Sequence, residues 1–195
     1  MLRAEGLAAF RSDRLVLHDI SFTIEAGGAL VLGGANGSGK STLLRLLAGL
    51  LRPAAGRMFL NDVEISRETR DFAYVGHQDA VKPGLGVAEN LTFFARLARR
   101  KTDTPAALDA VGLGALADLP ARMLSAGQRR RLALARLSIS RAAVWLLDEP
   151  TLGLDAESIA ALGRMFAAHR VQGGVIVAAT HLPLPLPETA LLKLQ

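Results

Sequence analysis

The sequence contains no cysteine, which excludes a disulfide framework and any thiolate metal site. Aromatic residues are scarce at 5 % of the chain, although half of it is apolar. Leu, Ala and Val must therefore fill the interior, as in mixed helix-and-sheet proteins with close backbone packing. No apolar run approaches the roughly 18 to 20 residues that span a bilayer. The longest stretch, 132–147, is broken by Arg136 and Arg141. Residues 1–6 lack the basic-then-apolar layout of a secretory leader. Repeats, low-complexity tracts and linkers rich in Pro, Gly and Ser are missing too. Together these absences predict one soluble, cytoplasmic domain, and 195 residues suffice for a buried core.

Acidic residues are in the minority, and the net charge of +5 is carried mostly by arginine. Arg129-Arg130-Arg131 and Arg99-Arg100-Lys101 have the charge to meet nucleic acid or an anionic membrane surface. Stacking aromatics hardly accompany them, so a solvated face of a nucleotide-binding protein is expected and a nucleic-acid partner is not.

Periodicity organises the chain. Residues 15–24 alternate apolar and polar, with Val16, Ile20, Phe22 and Ile24 on one side, as an antiparallel edge does. The run Ala29-Leu30-Val31-Leu32 ends in glycines, as a buried strand entering a turn. Leu43, Leu44, Leu46, Leu47 and Leu50 predict a helix over 41–51, with Pro53 after its stop. Helices are expected over 87–100, over 104–119 with Thr104 as cap and Pro105 in the first turn, and from about Ser125. Strands at 143–147 and 174–179 flank a helix at 156–170. The expected fold is α/β: a core of mostly parallel sheet, an N-terminal antiparallel β edge and a short helical insertion. Its boundaries would be a core of about 1–80 and 142–195 and a helical part of about 81–141.

Between the first buried strand and the first helix lies Gly34-Ala35-Asn36-Gly37-Ser38-Gly39-Lys40-Ser41, followed by Thr42. This matches the phosphate-binding pattern G-x-x-x-x-G-K-[ST]. Glycines let successive backbone N–H groups curl around phosphate oxygens, and the helix N-terminus points at the same anion. Lys40 would neutralise the terminal phosphates of ATP, and the Ser41 hydroxyl would ligate Mg²⁺. About one chain in a hundred of this length would carry the pattern by composition alone. Its position between strand and helix makes a mere connecting turn the poorer reading.

Val144-Trp145-Leu146-Leu147 runs into Asp148-Glu149-Pro150. A buried strand ending in two acids sets carboxylates at the sheet edge where α/β ligands bind. Asp148 is the expected Mg²⁺ ligand, and Glu149 the base that polarises the attacking water. By itself the pair could equally cap the next element. His181 and Gln78, each just beyond a predicted strand, carry no functional signal alone.

Leu124-Ser125-Ala126-Gly127-Gln128 resembles the Leu-Ser-Gly-Gly-Gln signature of ATP-binding cassette (ABC) proteins, with Ala126 in place of the first glycine. Ser125 and Gln128 also form a capping box, so the motif starts a helix in either case. The whole chain lines up with that family in order: loop 34–42, Gln78, signature 124–128, acids 148–149, Leu152-Gly153-Leu154-Asp155, then His181. The resemblance implies that Ser125, Gly127 and Gln128 touch the γ phosphate held by an opposing copy. It implies that Gln78 helps hold Mg²⁺ and reports nucleotide state to a membrane partner. Asp155 would belong to the inter-subunit loop, and His181 would contact the γ phosphate. Phe10 stands where the family has an aromatic that stacks on adenine; a core phenylalanine is the other reading. One copy of each motif implies a homodimer with two composite ATP sites, driving integral membrane permease subunits from the cytoplasmic face of the inner membrane. The run LSAGQRRRLALARL and the ending Thr180-His181-Leu182-Pro183-Leu184-Pro185-Leu186-Pro187 resemble the ATP-binding subunits of bacterial cytochrome c maturation, the haem exporters. Those partners would be small haem-handling membrane proteins. Phe93 and Phe94, adjacent on a short helix, are expected either to form the partner groove or to divide between core and chance exposure.

Overall fold

A computed structural model describes residues 1–66, 69, 71–98 and 103–194. Along the chain it forms β1 (Leu2–Arg11), β2 (Arg14–Ile24), β3 (Ala29–Gly33), α1 (Lys40–Leu47), β4 (Ala55–Leu60), β5 (Val63–Glu64) and β6 (Phe72–Val75). There follow α2 (Val87–Leu97), α3 (Thr104–Asp109), α4 (Ala126–Ile139), β7 (Val144–Asp148), α5 (Ala156–Val171), β8 (Val175–Ala179) and β9 (Ala190–Lys193). Strands β2, β1, β4 and β5 make an antiparallel sheet in that order. Strands β6, β7, β8, β3 and β9 make a second sheet in which every pairing is parallel.

The parallel strands are buried on both faces. Val144 and Leu146 of β7 face the leucines of α1 and the antiparallel sheet. Trp145 and Leu147 face α5 and the middle of α4 on the other side. Such two-sided burial is why 144–148 reads as a continuous apolar run rather than an alternating one. A third apolar cluster lies within the helical stretch, where Val87, Leu91, Leu108, Leu113, Ala121, Leu124 and Leu132 pack together.

Several expectations are corrected. Strand β1 was not legible because its alternation breaks: Leu2 and Ala4 are buried, then Leu7 and Ala9, with the register shifting at Gly6. The short edge strand β9 has only one half-buried residue and so almost no pattern. The first helix stops at Leu47 instead of 51: Leu50 N–H bonds back to Arg45 O and Gly49 N–H to Leu46 O, closing the end. Leu50 is consequently exposed. The expected helix 104–119 is a two-turn helix followed by single 3₁₀ turns at Gly114–Leu116 and Ala121–Met123, because the same closure recurs at Gly112 and Leu113. Its cap is Asp103, whose Oδ1 accepts from Ala106 N–H at 3.1 Å, and not Thr104. The end of the 87–100 helix and the run Arg99-Arg100-Lys101 lie partly or wholly outside the described residues.

Candidate functional site

Because the second sheet is parallel, the C-terminal ends of β3, β6, β7 and β8 open on one edge. The phosphate loop leaves β3 there, and α1 starts directly at Lys40. Lys40 is buried, and its Nζ donates to Gly34 O at 2.7 Å and Ala35 O at 2.9 Å, so the ammonium spans the loop. Gly34 sits at φ +133°, where a Cβ would stand 2.4 Å from the Leu194 carbonyl oxygen; only glycine lets β9 pack against the loop. The Ser38 hydroxyl is buried without a partner among the described residues. No acid occupies the first turn of α1. A lysine, an orphaned donor and an uncompensated helix N-terminus converge here, which is the electrostatics of an anion site.

At the end of β7, Asp148 is buried, and its carboxylate accepts no hydrogen bond among the described residues. Burial also pushes the Tyr74 phenol above its ordinary range, with the Asp148 charge adding and a hydrogen bond with Arg45 opposing. Glu149 adopts φ +49°, a left-handed conformation that a non-glycine residue holds only at a cost of about 1–3 kcal/mol. Its N–H donates to Ala179 O at 2.8 Å, tying β7 to β8. Its Oε2 accepts from the Thr180 hydroxyl at 3.0 Å and from His181 N–H at 3.4 Å. His181 Nε2 lies 3.9 Å from Oε1 and is half exposed. The structure thus joins Glu149 and His181, two residues 32 positions apart. Gln78, exposed in the turn after β6, follows a strand paired in register with β7, so it leaves the sheet beside Asp148. A hydroxyl (Ser41), a carboxylate (Asp148) and an amide oxygen (Gln78) are the hard donors that Mg²⁺ prefers.

The 125–128 motif sits on a separate element, at the start of α4. Ser125 N–H donates to Gln128 Oε1 at 2.8 Å, and Gln128 N–H to Ser125 Oγ at 3.2 Å, completing the capping box that starts α4. A Cβ on Gly127 would stand 2.9 Å from Gly153 O, so the helix start packs on the 152–155 loop of its own chain. Asp155 caps α5 by accepting from Ser158 N–H at 2.8 Å, and the Ser158 hydroxyl and N–H hold its carboxyl below the ordinary range. Among the described residues no hydrogen bond or ion pair links 125–128 to 34–42. Phe10, at the end of β1, is 59 % exposed, which removes the core reading. Phe93 is exposed and Phe94 only half-buried, edge-on at 5.3 Å between ring centroids, so neither is a core residue.

Arg130 went unrecognised in the sequence as a residue of this edge. The run Arg129-Arg130-Arg131 read as a solvated face, yet Arg130 is 5 % exposed. Its helical spacing to Leu134 and Leu137, both buried, was the available signal.

The ABC transporter family matches residues 17–152. The chain is 49 % identical over 189 residues to the cytochrome c biogenesis ATP-binding export protein CcmA of Gluconobacter oxydans, covering 97 % of the chain and 85 % of that protein. The protein of the same name from Rhodopseudomonas palustris is 50 % identical over 185 residues, covering 94 % of the chain and 92 % of its own length. Among solved structures, a Pyrococcus furiosus ATP-binding protein described as a putative ABC transporter superposes with a TM-score of 0.85 at 24 % identity, covering 99 % of the chain and 96 % of that one. A dimeric ATP-binding cassette, solved after hydrolysis with ADP and phosphate bound, gives 0.81 at 22 % identity over 93 % of the chain and 88 % of its own. At such identities the two structures share the fold.

Proposed function

The chain belongs to the ABC transporter family, as an ATP-binding and ATP-hydrolysing subunit, and we propose that it powers a complex for haem export and cytochrome c biogenesis. The observation that supports this reading best is the near-full-length likeness, at about half identity, to proteins named for cytochrome c biogenesis export. In the proposed site, Lys40 and the N–H groups of 34–42 bind the phosphates of ATP. Phe10 offers its exposed ring to the base. Glu149 orients and deprotonates the attacking water, with Thr180 and His181 fixing its carboxylate and His181 facing the γ phosphate. Ser41, Asp148 and Gln78 hold Mg²⁺, which supplies charge neutralisation at the phosphates when bound.

Ser125, Gly127 and Gln128 complete the site of a second copy in a head-to-tail homodimer. Support comes from the single copy of each motif in the chain and from the first-turn N–H groups at the start of α4. Residues 81–141 act as a helical part on a core of 1–80 and 142–195, in keeping with their separate apolar cluster. A cavity of about 980 Å³ at their junction, lined by Phe72, Tyr74, Phe94, Leu97 and Arg136, receives the membrane permease. Among the described residues no helix is long and apolar enough to cross a membrane. Attachment to the cytoplasmic face of the inner membrane then runs through that partner.

The test is a pull-down of the Glu149→Gln protein with ATP from detergent-solubilised native membranes. Small haem-handling membrane proteins are the expected companions. A different permease would retain the ATPase and discard the haem assignment.

A further inference from the structure

Arg130 is a buried cation whose two terminal nitrogens meet four acceptors. It projects from the second turn of α4 into the space between the ends of β6 and β7. One nitrogen, Nη1, donates to Gly76 O at 2.9 Å and to Asp79 Oδ1 at 3.0 Å. The other, Nη2, donates to Asp148 O at 2.6 Å and to Glu149 O at 2.8 Å. A single planar fork therefore holds the turn that carries Gln78 on one side and the backbone of both site acids on the other. The carbonyls it grips on the second side belong to the left-handed stretch at Glu149 (φ +49°). A strained backbone persists only where surrounding contacts over-determine it, and these two bonds are such contacts.

A second arginine extends the connection. Arg136, farther along α4, donates to Asp79 O at 3.1 Å and Tyr74 O at 3.3 Å. Its guanidinium lies 4.5 Å over the Phe94 ring, which lines the large cavity. Thus α4 grips residues 74–79 twice, once from the cavity side and once from the acid side.

We infer that Arg130 is a positioning residue for hydrolysis, holding the Gln78 turn and the Glu149 backbone as one rigid unit so that a displacement of either moves the other. Only a bidentate, permanently charged fork serves this role, because four acceptors on two segments must be met by one side chain. Lysine has the charge but not the two-sided reach. Asp79 closes the fork from the Gln78 side, with its carboxylate only partly buried.

Since this rests on the ATPase function proposed above, the experiment carries its own reference. ATP turnover, ATP affinity and thermal unfolding are measured for the full chain, for Glu149→Gln, for Arg130→Lys, for Asp79→Asn and for the double variant. Arg130→Lys is expected to bind ATP within about twofold of the parent while kcat falls on the order of 10- to 100-fold, as for a misplaced reacting group. Asp79→Asn is expected to lose a smaller part of kcat, also without loss of affinity. The double variant should fall no further than Arg130→Lys, because the two substitutions break one linkage. Should Arg130→Lys fail to fold, Asp79→Asn decides alone by the same split of kcat from affinity. Turnover near the parent's in both single variants, or losses that multiply in the double, would overturn the inference. If Glu149→Gln hydrolyses normally, the assignment of the base falls instead, and the positioning role falls with it.

Discussion

The carboxyl edge of the parallel sheet and the N-terminus of α4 both present backbone N–H groups at a helix start, and the proposed function brings phosphate to both, but they differ in what the chain itself supplies. At the sheet edge Lys40 spans its loop, Glu149 is held by Thr180 and His181, and Asp148 sits buried beside them. At α4 the Ser125 hydroxyl oxygen and Gln128 Oε1 accept from each other's backbone N–H in one capping box, and a Cβ on Gly127 would stand 2.9 Å from Gly153 O. In the proposed function the first region carries the residues that act on the phosphate, whereas the second offers a docking point. Under that proposal the site becomes competent when a second copy arrives, which would couple closure to chemistry.

Breaking the chemistry of the first region should have the largest effect. Glu149→Gln keeps the shape but removes the base, and kcat is expected to fall by at least about 100-fold, the ordinary worth of general-base catalysis. ATP binding should survive, and the nucleotide-bound dimer should accumulate in sedimentation. Near-normal turnover would reassign the base. Lys40→Ala attacks binding in the same region. Losing roughly 1.5–3 kcal/mol of charge-assisted hydrogen bonding should weaken ATP affinity at least tenfold by calorimetry. An unchanged titration would detach the loop from the nucleotide.

The second region is probed by Ser125→Arg in the Glu149→Gln background. ATP should still bind to the monomer while the dimer disappears from sedimentation; a persisting dimer would break the contrast between the regions. A charge placed at Phe94, which lines the cavity, and separately at its exposed neighbour Phe93 sharpens it further; loss of permease capture with ATP affinity intact in the Phe94 variant assigns the cavity to the partner.

The smallest effect concerns stability on the far face of β7. The His169 ring stacks on Trp145 at 3.9 Å, and burial holds its pKa below the ordinary value of 6.5. The unfolded chain binds that proton more readily, so this contribution is present above 6.5 and drains away as pH falls toward the lower folded value. His169→Phe should flatten the fall of Tm over that window while leaving ATP affinity unchanged. A parallel Tm curve would assign the acid sensitivity to other groups.

Much of the proposed site was legible in the sequence because the proposed chemistry requires fixed residue types at short local spacing. Loop 34–42, Asp148 and Glu149 at a strand end, and Ser125 with Gln128 are all of that kind. The elements that escaped did so for physical reasons. A bulge at Gly6 flips the alternation of β1, and helix closures at Gly49 and Gly112 end two helices before their apolar pattern runs out. Arg130 looked like surface charge because its helical spacing to Leu134 and Leu137 could show burial but not that acceptors 18 and 51 residues away surround it. Whether Phe10 was core or exposed depended on which face of the hairpin meets the second sheet.

By itself the sequence pointed to the α/β class and to a phosphate-binding loop, since these follow from short-range spacing and periodicity, and its resemblance to ABC proteins pointed to ATP. Only the tertiary structure decided which distant residues share the edge: that Glu149 meets Thr180 and His181, and that Arg130 ties the Gln78 turn to both acids. The reason is the parallel sheet. Its strand order brings together chain ends that lie far apart in sequence, and no local pattern encodes that order.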